Sequence, residues 1–147
     1  VIVLDAYALA ALLADEPAAA EVEGLIAETS VAVPAPNLAE TVDRLCRVHG
    51  ISLQQTRSAV EWLEQTVDLE VRPIERRHAW QAAALRSAHY HRTKCPLSLA
   101  DCLLLASVGD DERLATSDGP LLRVAEAERI ARIALPDSRG RRYQPRR

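Results

Sequence analysis

Val1-Ile2-Val3-Leu4-Asp5 opens the chain with four apolar residues, three of them β-branched, stopped by an acid. Such a run reads as a strand buried on both faces of a parallel sheet, with Asp5 left at its carboxyl end. Outward from it, residues 6–13 form a short helical stretch broken at Asp15-Glu16-Pro17, where Pro17 suits the first position of a helix reaching about Glu28. Val31-Ala32-Val33 is a second short strand, closed by Pro34. Pro36-Asn37 then starts a helix through Leu38, Thr41, Val42, Leu45 and Val48, with Glu40 in its first turn and Gly50 as its C-cap. Ser52-Leu53-Gln54-Gln55 is a capping box for a helix to about Thr66, and residues 69–71 resemble a strand before Pro73. A helix over 75–91, a loop over 92–96, a helix from Ser98 to about Gly109, a strand over 113–116, a helix over 120–128 and a strand over 130–135 complete the pattern. Strands alternating with helices at this spacing predict βαβ units, hence an α/β domain with a parallel sheet covered by helices on both faces. In such sheets chemistry collects at the carboxyl ends of the strands.

The composition sets the bounds. A chain of 147 residues fits one domain and buries roughly 70% of its unfolded surface, enough for a core without staples. With 48% hydrophobic and 27% charged residues it has ordinary globular values, and no apolar run approaches a membrane span. The first residue is Val rather than Met, which leaves room for a few residues before it, but nothing in the sequence has the basic-then-apolar pattern of a signal peptide, and a soluble protein of the cytoplasm is expected. Cys46, Cys95 and Cys102 are odd in number and form no C-x-x-C, which argues against a disulfide framework and against a zinc knuckle. Residues 139–147 hold five arginines and no acid; the net charge of -3 less this +5 leaves -8 on residues 1–138. An acidic body excludes nucleic-acid binding by bulk electrostatics, whereas a basic tail could still supply phosphate contacts. Residues 1–136 therefore read as the domain, and 137–147 as a basic, flexible tail.

Ser98-Leu-Ala-Asp101-Cys-Leu-Leu-Leu-Ala-Ser-Val108 carries the chemistry. Asp101 is the only charged side chain between Lys94 and Asp110. A carboxylate in a helix this apolar needs a partner, because an unpaired buried charge is costly. One partner is local, since Ser98 and Asp101 have capping-box spacing. The other is a site: Asp5 and Asp118 each follow a strand, Asp101 and Glu40 each lie near a helix start, and a parallel sheet brings all four to one edge. Converging acids repel by about 4 kcal/mol per pair at 4 Å and an effective dielectric near 20. Either some are protonated or a cation sits among them. Oxygen-only ligation suits Mg2+ or Mn2+, and with such ions the expected reaction is phosphodiester hydrolysis.

Four short motifs, Val-Leu-Asp5, Asn37-Leu-Ala-Glu40, Ser98-Leu-Ala-Asp101-Cys and Leu-Ala-Thr116-Ser-Asp118, resemble in order and spacing those of the PIN-domain ribonucleases, in particular the VapC-type toxins of toxin-antitoxin systems. The resemblance covers residues 1–136. It implies a three-layer α/β/α sandwich with a central mostly parallel sheet, an Mg2+ or Mn2+ site, endoribonuclease activity, a homodimer and a VapB-like antitoxin. It also implies that Asp5, Glu40, Asp101 and Asp118 hold the metal and that Thr116 orients a ligand or a water. One position departs from the pattern: relatives commonly carry Ser or Thr directly after the first aspartate, where this chain has Ala6 and Tyr7.

Other polar residues fit quieter roles. Asp43 is spaced to pair with Arg47, Asp15 and Glu16 suit a helix start, and His49 sits before a C-cap glycine. His89 and His91 do not share a helix face; Tyr7 fits a packed position in its helix better than stacking on a base, and Arg72, Arg76 and Arg77 fit a solvated surface better than a hold on RNA. Two other functions compete with the nuclease. A catalytically silent PIN-fold protein would act by binding RNA or an antitoxin. A phosphohydrolase of the haloacid-dehalogenase type would need a second aspartate in Asp5-Ala6-Tyr7 and a lysine, and Lys94 is the only one.

Overall fold

The computed structural model describes residues 1–145; Arg146 and Arg147 of the basic tail lie outside the described residues. The opening run forms β1 (Ile2–Leu4), buried along its whole length. It is the middle of five parallel strands in the order β3-β2-β1-β4-β5, with β2 (Val31–Pro34) and β3 (Leu69–Arg72) on one side and β4 (Arg113–Thr116) and β5 (Ala131–Ala134) on the other. Val3 stands opposite Ala32 in β2 and Leu114 in β4.

Alternation along the strands divides the core in two. Ile2, Leu4, Val31, Val33, Leu69 and Ala115 pack on α1 (Ala6–Leu13), α2 (Ala19–Glu28) and α4 (Leu53–Thr66). Val3 and Leu114 pack the other way, on α5 (Arg76–His89), α6 (Leu99–Ser107) and α7 (Gly119–Ala127). A slip of one residue would exchange the two sets, so the apolar pattern holds the register. The result is the three-layer α/β/α arrangement, with every strand pair parallel. Among the described residues no helix is long and apolar enough to cross a membrane.

α3 (Ala35–His49) leaves β2 directly, packs on α1 and α4 and reaches α6. It begins earlier than the sequence pattern suggests. Pro34 is its N-cap and Pro36 lies in its first turn, where a missing N–H breaks no hydrogen bond. No acid lies in that first turn, so Glu40 stands further along the helix than expected. α2 begins at Ala19 rather than Pro17, because Asp15 takes a left-handed backbone (φ 52°) and Pro17 falls in the turn that follows.

The winding of the chain determines where a site can lie. From β1 it runs outward to β2 and β3, then crosses back to enter β4 on the other side of β1. The carboxyl ends of β1 and β4 therefore flank the switch in direction, where an open parallel sheet has its crevice. After β5 the chain turns back: Pro136 pairs with Arg142, and Arg142 forks onto Glu21 of α2 at 2.8 and 3.1 Å.

Candidate functional site

A cleft of about 410 Å³ opens at this crevice, and Asp5, Glu40, Asp101 and Asp118 all line it. Three of these acids are held by the starts of helices. Asp5 ends the apolar run and caps α1, its Oδ1 accepting from the Ala8 N–H at 2.6 Å. Its Oδ2 accepts from the Thr116 hydroxyl, and the residue is only 5% exposed. Asp118 caps α7, its Oδ1 accepting from the Leu121 N–H at 2.8 Å while its own N–H donates to Thr116 Oγ1 at 3.0 Å. Asp101 sits in a reciprocal capping box, its Oδ2 accepting from the Ser98 N–H at 2.7 Å and Ser98 Oγ from the Asp101 N–H at 3.0 Å. Capping and lining the cleft thus coexist in one carboxylate, because the cap engages one oxygen and leaves the other. Glu40 comes from α3, its Oε2 accepting weakly from Asn37 Nδ2 at 3.4 Å. Thr116 is fully buried behind the cleft and ties Asp5 to the turn before Asp118.

The acids perturb one another. Burial pushes the Asp5 carboxyl up to about 7; the charges of Asp118 and Asp101 push the same way, against the hydrogen bonds from Thr116 and Ala8. Burial also raises Asp118, with Asp101 adding to it, and raises Glu40, with Asp101 and Asp43 adding. Each of these shifts favours the neutral carboxyl, and a divalent cation among the acids would act the other way.

The donor set fits such an ion. It consists of oxygen atoms alone, and Asp101 Oδ1, Asp118 Oδ2 and Glu40 Oε1 carry no hydrogen bond among the described residues. Asn37 adds a buried Oδ1 without a partner. As positioned, no three Asp, Glu, His or Cys groups among the described residues stand close enough to form a metal cage. Mg2+ commonly keeps several waters and takes one or two carboxylates directly, which suits acids ranged around a cleft.

Tyr7, Asn37 and Arg44 also line the cleft. The signal for two of them was present: Asn37, Glu40 and Arg44 are spaced i, i+3, i+7 on α3, so they share one face. Asp137 and Ser138 arrive from the segment after β5, which no local pattern announces. Asp43 pairs with Arg47 at 2.7 Å, as its spacing suggests. Glu16, expected to serve a helix start, instead accepts from Arg44 at 3.0 Å and bonds His49 at 2.8 Å. Arg72 forks onto Glu112 at 2.7 Å and Arg77 pairs with Glu75 at 2.8 Å, so these two are neutralised within the fold.

Comparison with known proteins places this geometry in context. The family model described as the PIN domain matches residues 2–127. No curated protein sequence matches the chain. Among solved structures, FitAcB from Neisseria gonorrhoeae superimposes with a TM-score of 0.63 at 19% identity, over 90% of this chain and 96% of that one. VapBC2 from Rickettsia felis, bound to a DNA fragment from their promoter, gives a TM-score of 0.64 at 13% identity over 91% and 98%. A toxin-antitoxin complex from Klebsiella pneumoniae gives 0.59 at 21% over 80% and 87%. At these identities the likeness is one of fold.

Proposed function

The chain belongs to the PIN domain family, and from that premise we propose that it is a metal-dependent endoribonuclease, the toxin of a VapBC-type pair acting in the cytoplasm. The observation that carries the reading is the convergence of four acids from four separate segments on one cleft at the switch point of the sheet. Asp5, Glu40, Asp101 and Asp118 would hold Mg2+ or Mn2+, which when bound supplies Lewis acidity and an activated water for phosphodiester hydrolysis.

The protein's own groups supply the rest. Thr116 and the α1 start fix both oxygens of Asp5, so its orientation is set before any ligand arrives. The starts of α1, α6 and α7 turn their positive ends toward these acids and offset part of their repulsion. Glu40 alone is not tied to a helix start, and its Oε1 carries no hydrogen bond among the described residues. The hydroxyl found after the first aspartate in relatives is absent at Ala6, and the Thr116 hydroxyl serves Asp5 from the end of β4. The Klebsiella neighbour is a toxin-antitoxin complex; by that likeness a VapB-like antitoxin is the expected partner, and the resemblance of the four motifs to VapC-type toxins makes a second copy of this chain a further proposed partner.

The test is cleavage of total RNA by the purified protein in Mg2+, in Mn2+ and in EDTA, beside Asp101→Asn. Discrete fragments that require both metal and Asp101 are expected. Intact RNA under every condition, with metal bound, would overturn the nuclease in favour of a PIN-fold binding protein.

A further inference from the structure

The cleft contains polar groups that the four acids do not use. Buried side-chain atoms without a hydrogen-bond partner are rare in folded proteins. Four occur among the described residues, and three of them belong to residues lining this cleft: Tyr7 Oη, Asn37 Oδ1 and Arg44 Nε. Asn37 lies with the acids, its amide bonded to Glu40. The other two atoms are donors, and they are neighbours.

Arg44 is the one cation among the lining residues described. Its guanidinium carbon lies 5.4 Å from the centre of the Tyr7 ring, and its Nη2 donates to Glu16 Oε1 at 3.0 Å and Oε2 at 3.4 Å. Glu16 is itself nearly buried and bonds His49 Nε2 through the same Oε1. One carboxylate therefore aims the guanidinium while engaging a single nitrogen of its fork. The Tyr7 hydroxyl lies near Glu16, within reach of a weak hydrogen bond to it, and near Arg44 and Asp137. An acidic cleft that takes a polyanionic strand needs a cation facing it; the Arg44 side chain is 34% exposed, and its Nη1, which donates to no group among the described residues, rather than the buried Nε, is the nitrogen a phosphate oxygen can meet.

We propose that Arg44 and Tyr7 form a phosphate subsite beside the four acids, holding a phosphate of the strand adjacent to the one that is cut. The inference rests on the nuclease reading for the identity of the strand as RNA. Arg44 is here a positioning residue that binds substrate, and its pairing with Glu16 is what aims it.

The experiment measures binding of a fluorescein-labelled, mixed-sequence single-stranded RNA to Asp101→Asn protein at constant Mg2+ over a series of salt concentrations. Adding Arg44→Gln should weaken binding by about 10- to 100-fold, the effect of losing one hydrogen bond to a charged group. It should also lower the slope of log affinity against log salt by about 0.7, the value for one phosphate on a single strand. Tyr7→Phe, which keeps the ring and removes the hydroxyl, should weaken binding several-fold and leave the slope unchanged. Affinity and slope equal to the parent's in both variants would overturn the subsite, whatever the variants do to stability, because a purely structural Glu16–Arg44 pair moves only the melt. A parent that shows no salt-dependent RNA binding would overturn it as well. The nuclease reading fails separately: an Arg44-dependent slope in a protein that never cuts RNA removes that reading and keeps the subsite, and cutting with an unaltered slope does the reverse.

Discussion

At the scale of the residue, Asp5 couples stability to pH. Its carboxyl is held near 7 in the folded, metal-free protein, against an ordinary value of 3.8. Between about pH 4 and 7 the unfolded chain has released this proton and the folded protein retains it, so stability falls as pH rises through that window. Thermal melts in chelator should show the fall, and Asp5→Asn should flatten it; an unchanged slope in the variant would contradict the assignment. Thr116→Val keeps the shape but removes the hydroxyl that serves Asp5 Oδ2 and the Asp118 N–H. It should cost about 1–3 kcal/mol, the range for a buried hydrogen-bonding group left unpaired, and weaken Mn2+ binding in calorimetry. Asp5 and Asp118 were legible as single residues because an acid directly after a buried strand can only stand at the sheet edge. The pairing of Arg44 with Glu16 was not: it spans 28 positions, from the turn between α1 and α2 to α3, and no local pattern announces it.

At the scale of the element, α6 joins helix stability to the site. Ser98→Ala removes one half of the capping box and should cost about 1 kcal/mol. The Ser98 N–H that holds Asp101 Oδ2 remains, but the bond lost anchors the Asp101 N–H and with it the helix start that carries the carboxylate, so the variant should also bind Mn2+ more weakly. Gly50→Ala provides the contrast: Gly50 closes α3 at φ 65°, so a Cβ there should also cost about 1 kcal/mol, yet leave Mn2+ affinity unchanged. Equal metal affinity in the two variants would separate the box from the site. Both capping boxes built from Ser, at Ser52 and Ser98, were legible because their partners lie three residues away. The starts of α2 and α3 were not, since proline is tolerated both in a first turn and in the turn before it, and the backbone of Asp15 decided between them.

At the scale of the whole molecule, a single ion would join the two halves of the sheet. Asp5 follows the central strand β1, Asp118 follows β4 on one side, and Glu40 belongs to the helix after β2 on the other. Metal that binds only the folded protein stabilises it by RT ln(1 + [L]/Kd), about 2.7 kcal/mol at one hundred times Kd. Mg2+ or Mn2+ should therefore raise the melting temperature of the wild type, and should do so less for Asp5→Asn; an equal rise in both would point to binding elsewhere. Alternation of strands and helices made the layers legible. The strand order was not, because the crossing from β3 back to β4 is decided by packing between distant segments. We propose that Asp5, Glu40, Asp101 and Asp118 share one metal site in the cleft. The most direct measurement is the anomalous difference map of a crystal soaked in Mn2+. A peak in the cleft within bonding reach of these carboxylates is the predicted result; an empty cleft, with Mn2+ ordered elsewhere on the molecule, would contradict it.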